Sequence, residues 1–184
     1  MSISAPIAAN NRNIVNGFTL IELLIVVVIV SILTGALIPS FSGFIKNQNL
    51  RQAQEILLSD LRGVQNKAIT GTASSTGANY WGINITSNPA SSYTYFSSEL
   101  NTSCTPGGVY TNQGSSQPFT SPITINSSQG CLFFSMENGD ANFIGLPACP
   151  AGQLTGMTCI NICDSATSCR YVGMNANGLI VAGN

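Results

Sequence analysis

The chain has 184 residues, of which only 7% are charged, and a formal net charge of −1. That length holds one domain and an appendage; with so few charges, against roughly a quarter in ordinary domains, the surface must be built from Ser, Thr, Asn and Gly. The chain contains no histidine, which excludes Ser-His and Cys-His catalytic pairs, and its globular part has no basic stripe with which to grip phosphates.

Residues 1–17 are polar and carry one basic side chain, Arg12. They lack the apolar core of an ordinary secretory signal. Gly17-Phe-Thr-Leu-Ile-Glu22 then opens an apolar run. From Phe18 to Ile38 there are 21 residues, and Glu22 is the only strongly polar one. A helix of that length spans a bilayer, so a transmembrane helix is expected over 18–39. An acid inside hydrocarbon is costly unless partnered, which makes Glu22 a functional residue by default; a place at headgroup depth, where the helix macrodipole favours an acid, is the alternative.

Pro39 cannot donate its amide to the Gly35 carbonyl, and its ring crowds that turn; a kink or loosened turn is expected there. From Ile45 the pattern turns amphipathic. Leu50, Ala53, Leu57, Leu61, Val64 and Ala68 recur every three or four residues, while Arg51, Gln54, Gln65 and Asn66 are expected to look away from that face. One helix, possible bend included, is expected from Phe18 to about Thr70, with Gly71 as its C-terminal cap. Lys46, Arg51, Arg62 and Lys67 against Glu55 and Asp60 leave 40–70 at +2; from 71 onward Arg170 alone opposes Glu99, Glu137, Asp140 and Asp164, leaving −3.

Residues 71–184 read as strands and turns. Strands are expected at 80–85, 93–96, 108–110, 122–126, 131–136, 141–146, 170–174 and 179–182. Asn138-Gly139 and Asn177-Gly178 each separate apolar runs and fit two-residue hairpin turns. The stretches 97–121 and 147–169 read as long loops. All six cysteines, Cys104, Cys131, Cys149, Cys159, Cys163 and Cys169, lie beyond the apolar run; disulfides are the reading, with 15 connectivities open. Zinc at Cys159-x3-Cys163 is the competitor. Glu137 and Asp140 flank a turn and pose a calcium question, although such sites usually need more oxygen ligands. Trp81, Tyr80, Tyr93, Tyr95 and Phe96 read as packing, with a carbohydrate or partner surface as the alternative. The sum is an α+β protein: leader 1–17, transmembrane helix 18–39, amphipathic helix 40–70, and a β-rich domain 71–184, with no metal and no cofactor expected.

Gly17-Phe18-Thr-Leu-Ile-Glu22 followed by an apolar helix resembles the cleavage and assembly signature of type IV prepilins, a family that includes the pseudopilins of type II secretion. The resemblance implies a cut between Gly17 and Phe18 by a prepilin peptidase, methylation of the new amine, and Pro39 as a helix-kinking proline. A freed Phe18 ammonium would stand four residues before Glu22 and could neutralise it within one chain or across neighbouring chains, aligning stacked helices. It implies a bacterial inner-membrane precursor with its C-terminal domain outside the cytoplasm, then a surface pilus or a periplasmic pseudopilus. Its partners would be other subunits, the peptidase, an inner-membrane assembly platform and membrane lipid.

The Leu57–Ala68 helix, the 123–139 strand and hairpin run with Phe133-Phe134, and the closing Tyr171–Ile180 hairpin resemble the minor pseudopilin subgroup called GspH/FimT-like. Members implicated in DNA uptake carry arginines near the C-terminus; here Val181-Ala-Gly-Asn184 has none. A structural, non-enzymatic subunit is the first expectation. A minor tip subunit binding DNA, a surface or a secreted substrate is the alternative, and the acidic balance of the domain disfavours DNA.

Overall fold

The computed structural model describes residues 17–71, 77–100, 102–104, 110–114, 116–150, 152, 154–164 and 168–183, with backbone alone for 36–40 and 110. Helix α1 runs Leu20–Ile69. The chain divides into two compact units, the first ending at Ser42 and the second spanning Gly43–Asn184. The helix is unbroken at Pro39, whose side chain lies outside the described residues, so the kink remains an expectation.

In the first unit α1 is apolar on every side. Its run Ile25-Val-Val-Val-Ile-Val30 is β-branched throughout, a composition that propensity alone disfavours in a helix. Among the described residues no helix is long and apolar enough to cross a membrane. Part of the span expected over 18–39 lies outside the residues whose side chains are described, so that span stays an expectation. Leu20–Gly35 reaches about 24 Å at 1.5 Å per residue, short of a hydrocarbon core of about 30 Å.

In the second unit the amphipathic part of α1 packs on antiparallel sheets. One sheet has the order β3 (Tyr110–Asn112), β2 (Ser92–Ser98), β1 (Tyr80–Ile85), β6 (Gly130–Ser135), β7 (Ala141–Ile144), with β4 (Gln117–Pro118) beside β2. The other has the order β10 (Ile180–Gly183), β9 (Ser168–Met174), β8 (Thr158–Asp164), β5 (Ile123–Ile125). Leu50, Ala53, Leu57, Leu61, Val64 and Ala68 are all buried, as their spacing predicts. All but Leu50 join Trp81 and Ile83 of β1, Leu132 and Phe134 of β6, Ile160 and Ile162 of β8, and Val172 and Met174 of β9 in one core. The opposite face of β6 turns Cys131 and Phe133 onto Phe96, the two rings meeting edge to face at 5.1 Å. Trp81, Tyr93 and Phe96 are buried, so they pack rather than present a surface. Gly71 closes the helix at φ 61°, its amide reaching the Ala68 carbonyl at 3.1 Å.

The structure corrects the expected loop at 147–169. It contains β8, paired along its whole length with β9, and β9 itself starts at Ser168. Thr158-Cys-Ile-Asn-Ile-Cys-Asp164 mixes cysteines with a strand pattern, and the cysteines masked it. The loop expected at 97–121 likewise holds the end of β2, β3 and β4; of the strand expected at 108–110, residues 108 and 109 lie outside the described residues.

Three disulfides pair all six cysteines: Cys104–Cys131, Cys149–Cys159 and Cys163–Cys169. Zinc at Cys159 and Cys163 is excluded by the local geometry. In a helix, residues four apart meet; on a strand rising about 3.3 Å per residue they stand about 13 Å apart, and each here has its own partner. The last two bridges close the ends of β8.

Gln54 and Gln65 do not look away from the sheets. Gln54 is 4% exposed, and its amide donates at 2.7 Å to the carbonyls of both Tyr171 and Gly183. Three turns on, the Gln65 amide donates to Gly178 at 2.9 Å and Gly139 at 3.4 Å. The two carboxamides thus pin the two ends of the β9–β10 hairpin to the helix. Gln54→Leu should lower the unfolding free energy of the domain by about 1–3 kcal/mol, since two carbonyls lose their donor under a buried apolar group. Urea denaturation reads that loss, and an unchanged midpoint would show the pin to be idle.

A polar border runs beside the core. The Tyr93 hydroxyl donates to Asp60, and Lys67 lies 5.3 Å from the Trp81 ring centroid and 5.7 Å from that of Tyr95. Burial first, then the bond to Asp60 and its negative charge, push the Tyr93 and Tyr95 phenols well above the usual range. Both therefore keep their protons in the fold at pH values where an unfolded chain, with phenol pKa about 10, has lost them. Above that pH the unfolded state binds fewer protons, so stability falls as pH rises. The urea midpoint should hold from pH 7 to about 9.5 and drop beyond about 10, and Tyr93→Phe should shallow that drop.

Candidate functional site

The first turn of α1 is set by Thr19-Leu-Ile-Glu22. The Glu22 amide donates to Thr19 Oγ1 at 3.3 Å. In return Glu22 Oε2 accepts from the Thr19 amide at 3.3 Å and from its hydroxyl at 3.0 Å. This is a reciprocal capping box, satisfying two amides that a helix start leaves open and placing a negative charge where the macrodipole favours it. The first helical bond follows from Leu23 to the Thr19 carbonyl at 3.3 Å. Gly17 and Phe18 precede the cap and are exposed.

Glu22 thus has a partner inside its own helix. Thr19 is a functional residue that hydrophobic patterning does not mark; its T-x-x-E spacing to Glu22 is the sequence signal for it. Both bonds to the carboxylate fall on Oε2.

On both sides of the cap, the large apolar side chains from Phe18 to Leu33 are 48–82% exposed. The hydroxyls of Ser31 and Thr34 turn inward: Ser31 donates to the Val27 carbonyl and Thr34 to the Val30 carbonyl, each at 2.7 Å. Such back-bonds hide the hydroxyl against its own helix. The surface from Leu23 to Gly35 is therefore apolar in fact as well as in composition.

Among the described residues, the second unit offers no comparable chemistry. A cavity of about 450 Å3 is lined by Asn84, Thr86, Thr102, Ser103, Gln129 and the Cys104 of a disulfide, among others; none of these can act as an acid or base near neutral pH. Glu137 and Asp140 flank their turn as expected, but Asp140 is engaged by Asn138, which donates at 2.6 Å and accepts the Asp140 amide at 3.1 Å. Among the described residues, no group of three or more acidic or cysteine side chains could hold a metal ion.

A helix with an acid in its capped first turn and an apolar surface behind it, followed by a helix-backed antiparallel domain, defines an α+β protein whose distinctive chemistry sits at one helix start. Residues 12–38 match the family described as the prokaryotic N-terminal methylation motif. The chain carries that motif, which marks type IV prepilin-like proteins, a structural class. No curated protein and no solved structure matches the chain significantly, and nothing found singles out the GspH/FimT-like subgroup.

Proposed function

We propose that this chain is a filament subunit, a pilin or pseudopilin that is cut between Gly17 and Phe18, methylated on the Phe18 amine, and assembled through α1. The observation that carries this reading is the capped helix start of Thr19 and Glu22, placed within the matched motif directly after Gly17 and backed by an unbroken apolar surface. Before assembly that surface needs lipid, and Ala36, Leu37 and Ile38 extend the apolar sequence to the length of a span. The membrane-held precursor has its C-terminal domain outside the cytoplasm. After assembly the same surface is covered by the helices of neighbouring subunits.

Glu22 carries two tasks in sequence. In the precursor its Oε2 caps the helix; once the Phe18 amine is free, Oε1 is the oxygen that an ammonium takes, from its own chain or from the next. Such a pair selects alignment more than it adds glue. The subunit has no catalytic task; its partners are other subunits, the prepilin peptidase, an assembly platform and lipid. Mass spectrometry of the mature N-terminus tests the reading. N-methylated Phe18 as first residue is the expected result, and an intact Met1 or a cut elsewhere would sink it.

A further inference from the structure

The sheet that contains β1 has a second face, turned away from α1. Residues directly opposite one another on paired strands share a face, so Phe96, Gly82 and Phe133 stand in one row and Asn84, Cys131 and Ile144 in another. The first row is filled by its own rings: a Cβ on Gly82 would lie 2.8 Å from the Phe96 ring, which meets Phe133 edge to face. At the second row, the end of β1 and the start of β6, the surface opens into the cavity of about 450 Å3. Its lining has two characters. Ile144 and Cys104, the latter bridged to Cys131, make an apolar wall that packs on Phe96 and Phe133. Beside that wall stand amides and hydroxyls: Asn84 and Thr86 from β1 and its end, Thr102 and Ser103 before the bridge, and Gln129 before β6. Thr86, Thr102 and Gln129 are exposed. Asn84 is 5% exposed, and its amide donates to the Cys104 carbonyl at 3.1 Å. Among the described residues that line the cavity, none carries a charge.

We propose that this cavity binds a neutral saccharide. The ligand class follows from the lining. A sugar ring has an apolar C–H face and an edge of hydroxyls. Carboxamides and hydroxyls each donate and accept, as sugar hydroxyls do, while Ile144 and the bridge give the C–H face an apolar surface to cover. A charged ligand would lose water here without meeting a counter-charge. The volume falls in the range of about 300–1,000 Å3 common for small-ligand clefts. The frame is tied before any ligand arrives, because the bridge and the bond from Asn84 hold Cys104 against β6 and β1; a site ordered in advance costs less to fill. The cavity belongs to the second unit by itself, so the inference stands apart from the processing of Phe18 and the assembly of α1.

The test uses the full-length chain in phosphocholine micelles, which contain no sugar, and saturation-transfer NMR with the methyl glycosides of glucose, galactose, mannose and N-acetylglucosamine as probes. Saturation should pass from the protein to at least one of these glycosides. It should pass less to methyl glucuronide, which differs from the glucoside by a carboxylate. Thr86→Trp and Gln129→Trp each place an indole in the cavity from an exposed position, one on the β1 side and one on the β6 side. Each should abolish the transfer, with protease resistance of the second unit checking that the variant folds. No transfer to any of the four glycosides, or transfer that survives in both variants, overturns the inference. Transfer to the glucuronide equal to or above that of the glucoside overturns the assignment to a neutral ligand.

Discussion

Glu22→Gln is expected to cut the yield of sheared filaments at least about tenfold while leaving the helix start and the globular unit intact. The choice of glutamine separates the two tasks of this residue. A carboxamide at the third helical position still completes the capping box with Thr19, so the local bonds survive. What vanishes is the charge, and with it the pairing to the Phe18 ammonium. Removing one partner of a desolvated pair leaves the other uncompensated, and each tenfold in yield asks for only about 1.4 kcal/mol. Thr19→Ala makes the converse change, weakening the cap and keeping the carboxylate, and should reduce filaments far less. If E22Q assembled like the parent and T19A failed, Glu22 would be a cap and nothing more.

Gly178→Ala should destabilise the domain by about 2–4 kcal/mol, a large share of the 5–15 kcal/mol typical of a domain. Gly178 sits at φ 78°, where a side chain is strained by about 1–2 kcal/mol. A Cβ there would also lie 2.5 Å from both the Gly139 carbonyl oxygen and the Gln65 amide nitrogen. The clash falls where the two Asn-Gly turns meet under one glutamine, so relief at either turn breaks the other. Gly156→Ala is the control. It shares the positive φ at 77° but has nothing within 4 Å, so it should show the backbone strain alone. Equal urea midpoints for the two variants would mean that the turn-to-turn contact contributes nothing.

The parts of this fold that were legible from the residues are those that depend on local periodicity. Leu50 to Ala68 announce their buried face because helical spacing is a property of the segment itself; the Asn-Gly pairs announce hairpins, but not the two-residue turns expected, since the innermost ladder pairs are Phe134 with Ala141 and Met174 with Ile180. β8 stayed hidden: Cys159 and Cys163 served as evidence of stapling, and their strand neighbours Ile160 and Ile162 were read with them. Gln54 and Gln65 were misread for a different reason. Their partners, Gly183 and Gly178, lie 129 and 113 residues away, and no short window of sequence contains both ends of such a bond. At the candidate site, the motif drew the eye to Glu22 and away from Thr19, although the cap needs both.

The bond from Gln54 to Gly183 ties α1 to a strand 129 residues further along the polypeptide. A chain made amino end first carries Gln54 without its two carbonyl partners until β9 and β10 arrive, although β1 and β6 already offer cover to Leu57 and Leu61. The docking of the helix is therefore finished by the β9–β10 hairpin, which alone supplies the two carbonyls that Gln54 needs.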